Sequence, residues 1–349
     1  MDDHGGPLPV VVTDAHRHHD PPFELNAGQR VAPVYERPGR VDAILAGLPA
    51  AERHDPTAHD DAALRAVHDP DLVRFLREGH DAWRRAGGPE VMIADTFRSP
   101  RWASGGSPTA SPFGAAGWWC FDTATPIVAG SFRAARAAAD VALTAVDLVV
   151  AGAPLAYALT RPPGHHAGRD YFGGFCLLNH AAIAARALQV GGRVAVLDID
   201  VHHGNGTQDI FWRDGSVLYV SLHADPDTTF PYFSGFAAEQ GEGPGRGATR
   251  NIPLASGTDD VGYLAALDAA RDQIAAFDAA TLVLSLGLDT SEHDPIGPLA
   301  LTAEGLADIG ARIGGLGMPT VVIQEGGYAL DHLGTLAAAV LGGLRAGSS

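Results

Sequence analysis

Unbroken apolar runs recur through the second half of the chain, each closing on polar or charged residues. Arg193 to Asp200, Ser216 to Leu222, Thr281 to Leu288 and Pro319 to Gln324 are of this kind. Short apolar runs without alternation suit strands that are buried on both faces. Ala-rich stretches with helical spacing lie beside them: Ser131 to Asp147, Ala181 to Leu188, Tyr263 to Phe277 and Thr302 to Ile313. Residues 59–86 carry the same spacing in two pieces. Ala63, Leu64 and Val67 form one, Leu72, Val73 and Leu76 the other, and Asp69-Pro70 makes the break. Pro9 to Thr13 predicts a short buried strand that empties into a His-rich, solvated loop, Asp14 to Asp20. Ser99 to Gly117 is Gly-, Pro-, Ser- and Ala-rich without any period, which predicts a long loop.

Apolar strands alternating with helices imply a parallel sheet covered on both sides. The fold class is therefore α/β, a three-layer α/β/α arrangement around a mostly parallel central sheet. No internal repeat or Pro/Ser linker interrupts the pattern, so residues 1–349 read as one domain. In such folds the working residues gather just beyond the carboxyl ends of the strands. The polar clusters of this chain fall there.

Composition narrows the function. The 349 residues include 41 acidic and 24 basic side chains, a net charge of −17, and every basic residue is arginine. Without lysine there is no P-loop lysine, kinase strand lysine or Schiff-base nucleophile. The negative charge repels phosphate backbones, which argues against a nucleic-acid partner, and draws in small cations. Two cysteines make no disulfide framework, and a reducing cytoplasm is the expected setting. The first residues are acidic where a signal peptide is basic and then apolar. The Ala134–Thr160 stretch is interrupted by Arg136, Asp140 and Asp147, so no membrane span is expected.

Four clusters carry chemistry. In Asp198-Ile199-Asp200-Val201-His202, alternate residues of a strand end point one way, which sets two carboxylates and an imidazole together. Such a group is unfavourable in an apolar sheet unless a cation or hydrogen-bond donors offset it. Asp289 ends another apolar run and supplies a third ligand. Asp, His and Asp leave a fourth position open on zinc, the mark of a catalytic site. Arg161-Pro162-Pro163-Gly164-His165-His166 offers a rigidly framed His pair suited to proton transfer. Glu325-Gly326-Gly327-Tyr328 lets the backbone approach closely and places a phenol to stabilise an oxyanion.

Together with Gly173-Gly174-Phe175-Cys176, Leu197 to Phe211 and Ser221 to Pro226, these clusters resemble the histone deacetylase superfamily. Within it, they most resemble the bacterial acetylpolyamine amidohydrolases. The resemblance implies an arginase/deacetylase-like fold and one zinc held by Asp200, His202 and Asp289. It makes His166 the general base and acid, with His165 beside it, and Tyr328 the phenol that polarises the carbonyl. Asp198 would orient His165, and Asn205 would orient His166. A structural potassium would sit near Asp198, Ser221 and Leu222. Phe175 and Phe230 would wall a narrow tunnel, with Gly174 in its lining. The implied reaction is removal of acetyl from a small cationic N-acetyl amine by a homodimeric enzyme whose 99–117 loops narrow each other's tunnels. The alternative is an acetyl-lysine deacetylase acting on peptides or proteins.

Two departures bear on specificity. Thr96 through Trp119 holds no Asp or Glu where the amidohydrolases place acids, and Asn26 stands where they tend to have tyrosine. Asp20 and Glu24 are the nearest acidic candidates to replace that gate. A binuclear, arginase-like enzyme would need another Asp two residues before the late ligand. That position is Gly287.

Overall fold

A computed structural model of the chain describes residues 6–99, 106 and 108–348. Ten strands occur among these residues. They are β1 Pro9–Val11, β2 Glu24–Asn26, β3 Gln29–Val31, β4 Glu52–His54 and β5 Leu155–Ala158, followed by β6 Val194–Asp198, β7 Val217–Ala224, β8 Thr249–Leu254, β9 Thr281–Leu286 and β10 Thr320–Gln324. The helices are α1 Gly39–Ala46, α2 Ala62–Arg65, α3 Pro70–Arg85, α4 Pro112–Trp119 and α5 Ser131–Val150, then α6 His180–Leu188, α7 Asn205–Phe211, α8 Asp260–Phe277, α9 Ala303–Gly314 and α10 Leu330–Gly347.

Eight strands form one sheet in the order β4-β1-β5-β10-β9-β6-β7-β8. Every pairing in it is parallel. β2 and β3 form a separate antiparallel hairpin. Alternation along the central strands sorts the core onto two faces. Val194, Val196, Tyr219 and Val283 pack on one side with Ala135, Ala139 and Val146 of α5. Ala195, Leu197, Leu218 and Leu284 pack on the other with Leu306 and Ile309 of α9 and Leu336 and Val340 of α10. Helices on both faces make the three-layer α/β/α arrangement that the apolar runs predict.

The structure corrects three local expectations. The Ser99–Gly117 segment is not loop throughout, because Pro112 starts α4 at the position a proline favours, and α4 runs to Trp119. Residues 100–105 and 107 of that segment lie outside the described residues. The N-terminal His run is solvated only in part, with Asp14, Arg17, His18 and Asp20 exposed. Asp14–His18 forms a 3₁₀ turn, and His16 and His19 are buried. Their carbonyls each accept from the buried Arg161 guanidinium at 2.6 Å, which folds the turn inward. Finally, β6 stops at Asp198 and β9 at Leu286, so Asp200, His202 and Asp289 stand in loops past the strands.

Candidate active site

Asp200 and His202 converge although they lie beyond β6. The Asp200 N–H donates to Asp198 Oδ1 at 3.2 Å, and the His202 N–H donates to Asp200 Oδ1 at 2.9 Å. Each carboxylate thereby turns the following backbone. Asp289 arrives from the loop after β9 and accepts the Val201 N–H at 3.1 Å. The ligand atoms of Asp200, His202 and Asp289 lie within 4.8 Å of one another. His202 Nδ1 is 3.3 Å from both Asp200 Oδ1 and Asp289 Oδ2. Both carboxylates are fully buried, and among the described residues Asp289 Oδ2 accepts no hydrogen bond, the His202 contact being an ion-pair approach only.

Two buried carboxylates this close repel. Burial and Asp200 push the Asp289 carboxyl up, while the two carboxylates overcome burial and raise His202. A divalent cation relieves that repulsion and gives the Asp289 oxygen a charge to bind. The donor set fits zinc, with three protein ligands and one open position.

The His pair stands on a loop pinned from below. The Gly164 and His165 N–H groups donate to Glu325 Oε2 at 2.7 and 3.1 Å. Asn179 Nδ2 donates to the Ala167 carbonyl at 2.9 Å. His165 Nδ1 contacts Asp198 Oδ2 at 3.1 Å, and His166 Nδ1 donates to Asn205 Oδ1 at 2.7 Å. The two imidazoles behave oppositely. Burial opposes charge on both, but Asp200 and Asp198 outweigh it at His165 and raise its pKa to about 10. At His166, burial and the neighbouring His165 and His202 act together and hold it well below 6.5.

Tyr328 is buried at the opposite wall, its ring 5.6 Å from that of Phe175. Burial keeps its phenol protonated far above the usual range, although Arg40 pulls the other way. Phe175, Phe230, Gly174, His165, His166, His202 and Tyr328 line one cavity of about 490 Å³. Gly174 has φ +58°, and a Cβ there would lie 2.2 Å from His166 Cδ2. That close approach requires glycine.

Ser221 pairs in register with Asp198 on the adjoining strand, and its hydroxyl meets His223 Nδ1 at 2.7 Å. Leu222 follows it on β7, fully buried.

Several residues that shape the site escape sequence reading. Arg40 is buried and donates from Nε to the Gly327 carbonyl and from Nη2 to the Glu325 carbonyl, both at 2.6 Å. Its guanidinium lies 4.7 Å from the Tyr328 ring centroid, and Glu36, in the bend before α1, accepts from its Nη1 at 3.0 Å. Asp294 accepts the Tyr328 N–H at 2.7 Å. Asp122 lines the cavity and accepts the Gly174 N–H. Of the candidate acidic gates, Asp20 is exposed and Glu24 is buried, and neither lines the cavity. Asn26 does.

Gly287 separates this centre from a two-metal one. A Cβ at that position would lie 2.4 Å from Asp200 Oδ2 and 2.5 Å from Asp200 Cα.

A parallel sheet with an Asp-His-Asp group and paired histidines at its strand ends defines a metal-dependent hydrolase of the deacetylase type. The model of the histone deacetylase domain matches residues 34–344, and the chain belongs to that family. It is 43% identical over 338 residues to acetylpolyamine amidohydrolase 1 of Pseudomonas aeruginosa, covering 95% of this chain and 97% of that protein. It is 40% identical to the acetylpolyamine amidohydrolase of Mycoplana ramosa, with coverage of 96% and 99%. The solved structure of acetylpolyamine aminohydrolase from Burkholderia pseudomallei superposes with a TM-score of 0.92 at 37% identity, covering 97% and 99% of the two chains.

Proposed function

We propose that this chain is a zinc-dependent amidohydrolase that removes acetyl from N-acetylated alkylamines of the acetylpolyamine class and releases acetate. The observation that carries the reading is one cavity lined by the His165-His166 pair, Tyr328 and His202, with Asp200 and Asp289 grouped behind His202 within 4.8 Å. The names of the relatives supply the substrate class.

Zinc held by Asp200, His202 and Asp289 would supply Lewis acidity and a water whose pKa falls toward about 7. The chain's own residues move the protons. With Nδ1 donating to Asn205, neutral His166 presents its Nε2 lone pair to the cavity. It takes a proton from the attacking water and later gives it to the leaving amine nitrogen. Tyr328, kept protonated, donates to the oxyanion that develops on the amide carbonyl. His165, cationic under Asp200 and Asp198, stays protonated and adds positive charge beside that oxyanion. Phe175 and Phe230 suit the methylene chain of the substrate.

Tyr328→Phe is expected to keep its metal and lose at least about tenfold in kcat, because one oxyanion donor goes. A kcat within twofold of wild type would remove the phenol from the mechanism.

The function is tested by comparing acetylputrescine, acetylspermidine and an acetyl-lysine peptide on the zinc-loaded protein. Efficient turnover of the small amines supports the reading; turnover of the peptide alone replaces it. The stretch ahead of Trp118 is acid-free, and both oxygens of the cavity-lining Asp122 already accept the Gly174 and Ala124 N–H groups. The long-range field of −17 thus gathers cations without placing them. We therefore expect kcat/KM to vary within about tenfold between mono- and dicationic amines of similar length, about 1.4 kcal/mol. A hundredfold preference for the dicationic amine, abolished by Glu24→Gln or Asp20→Asn, would assign the gate to those residues.

The remaining features of the proposal are a potassium ion near Asp198, Ser221 and Leu222 and a homodimer narrowed by the 99–117 segments. A cytoplasmic setting with no nucleic-acid or membrane partner completes it. Buried free Cys120 and Cys176 and the net charge support that setting, and no described helix is long and apolar enough to cross a membrane. Light scattering at micromolar concentration is expected to give twice the chain mass; the mass of one chain would rule the dimer out.

A further inference from the structure

A second cavity, of about 680 Å³, adjoins the first. The Phe121 and Phe230 rings stack 5.9 Å apart as the wall between them, Phe121 lining the second cavity and Phe230 the first. The following residues alternate, Tyr232 with the first cavity and Pro231 and Phe233 with the second. Asn205 belongs to both environments. It lines the second cavity, while its Oδ1 accepts from His166 Nδ1, and Tyr171 of the same lining donates to its carbonyl at 3.2 Å.

The second lining is unlike the first. Phe97, Trp118, Trp119, Phe121, Tyr171 and Phe233 contribute aromatic side chains, and among the described residues no carboxylate lines it. Volume and aromatic walls match the ordinary character of small-molecule sites. Arg98 is, among the described residues, its one charged side chain. Among the described residues Arg98 hydrogen-bonds only through Nη2, to the Asp170 carboxylate at 2.9 Å and to the Asp170 carbonyl at 3.3 Å. Nε and Nη1 are thus left to donate. The guanidinium lies 5.2 Å from the Trp118 ring centroid, and the Asp170 partner is 45% exposed. So solvated a pair is weak, and a carboxylate can share the guanidinium through two parallel hydrogen bonds. The net charge of the chain does not forbid this, since exposed charges farther off than about 10 Å are largely screened.

We propose that this cavity is a binding site for a planar aromatic carboxylate, its rings among the aromatic walls and its anion on Arg98. Its occupancy acts on His166 through Asn205. A ligand packed on Asn205 and Tyr171 bears on the group that orients the base while leaving the substrate cavity open, so its effect belongs to kcat rather than KM.

Calorimetric titration of naphthalene-2-carboxylate into the full-length, metal-loaded protein tests the site without reference to any substrate. The expected result is one binding event with a submillimolar Kd. It weakens at least tenfold in Arg98→Met and for naphthalene-2-carboxamide, and at least threefold in Phe233→Ala. Phe233 is 92% exposed, so that variant keeps its fold. Both variants should deacetylate acetylputrescine within twofold of wild type in the absence of the carboxylate. In wild type the carboxylate should change kcat at least twofold at constant KM. Binding that is unaltered in both variants would overturn the proposal, as would inhibition that is purely competitive with substrate, the behaviour of a carboxylate on the catalytic metal.

Discussion

His166→Ala is expected to lower kcat by about 10²–10⁴ while the protein keeps its metal, because the two proton transfers assigned to His166 are lost together. Among the described residues the His166 ring hydrogen-bonds Asn205 and none of the three proposed ligand side chains. Metal analysis and kcat therefore separate. The pH profile of the wild type carries the sign. A base held below 6.5 first by burial and then by the neighbouring His165 is in its neutral, working form throughout the neutral range. It is lost only as pH falls through that lowered value, so the acidic limb of kcat/KM that reports it should lie below 6.5. An acidic limb that stays unchanged in His166→Ala, or a residual rate within tenfold of wild type, would take the base role from His166.

Asp289→Ala should lose metal and activity together. The substitution removes one of the three proposed ligands and also leaves the buried Val201 N–H without its acceptor, at a cost of about 1–3 kcal/mol. Asp289→Asn keeps an oxygen for that N–H and isolates the loss of the charged ligand. Metal content after dialysis is expected to fall well below one per chain in both variants. Full activity at one bound zinc per chain in Asp289→Asn would show that Asp289 is not a ligand.

Much of the frame was legible because buried parallel strands have an unmistakable pattern. β6, β7, β9 and β10 were read to within two residues of their ends. The strands that escaped do so for physical reasons. β4, Glu52–His54, and β8, Thr249–Leu254, lie at the two edges of the sheet. Edge strands admit charged residues and proline, here Glu52, Arg53 and Pro253, so the apolar signal disappears. β5 is wholly buried but short and half alanine.

The site divides in the same way. Asp200, His202, Asp289, His165, His166 and Tyr328 were visible because ionisable groups crowd the ends of apolar runs. Arg40, Asp294 and Asp122 were not, since each acts through backbone groups remote in the chain, and backbone partners leave no trace in residue identity. The His16 and His19 burial was missed for the same reason. What encloses them is the Arg161 guanidinium reaching their carbonyls, a contact across more than 140 positions.

Gly287 has a bearing on how such enzymes can be remodelled. An engineer wishing to add a second metal would begin by writing aspartate there. The first atom of that new side chain would already occupy the space of Asp200, so the variant would have to displace one proposed ligand before gaining another. Mononuclear and binuclear designs on this scaffold are thus separated by a steric ridge, not by one missing ligand. A library meant to cross it must relocate the loop after β6 in the same step, and stepwise selection for activity would stall at the first mutation.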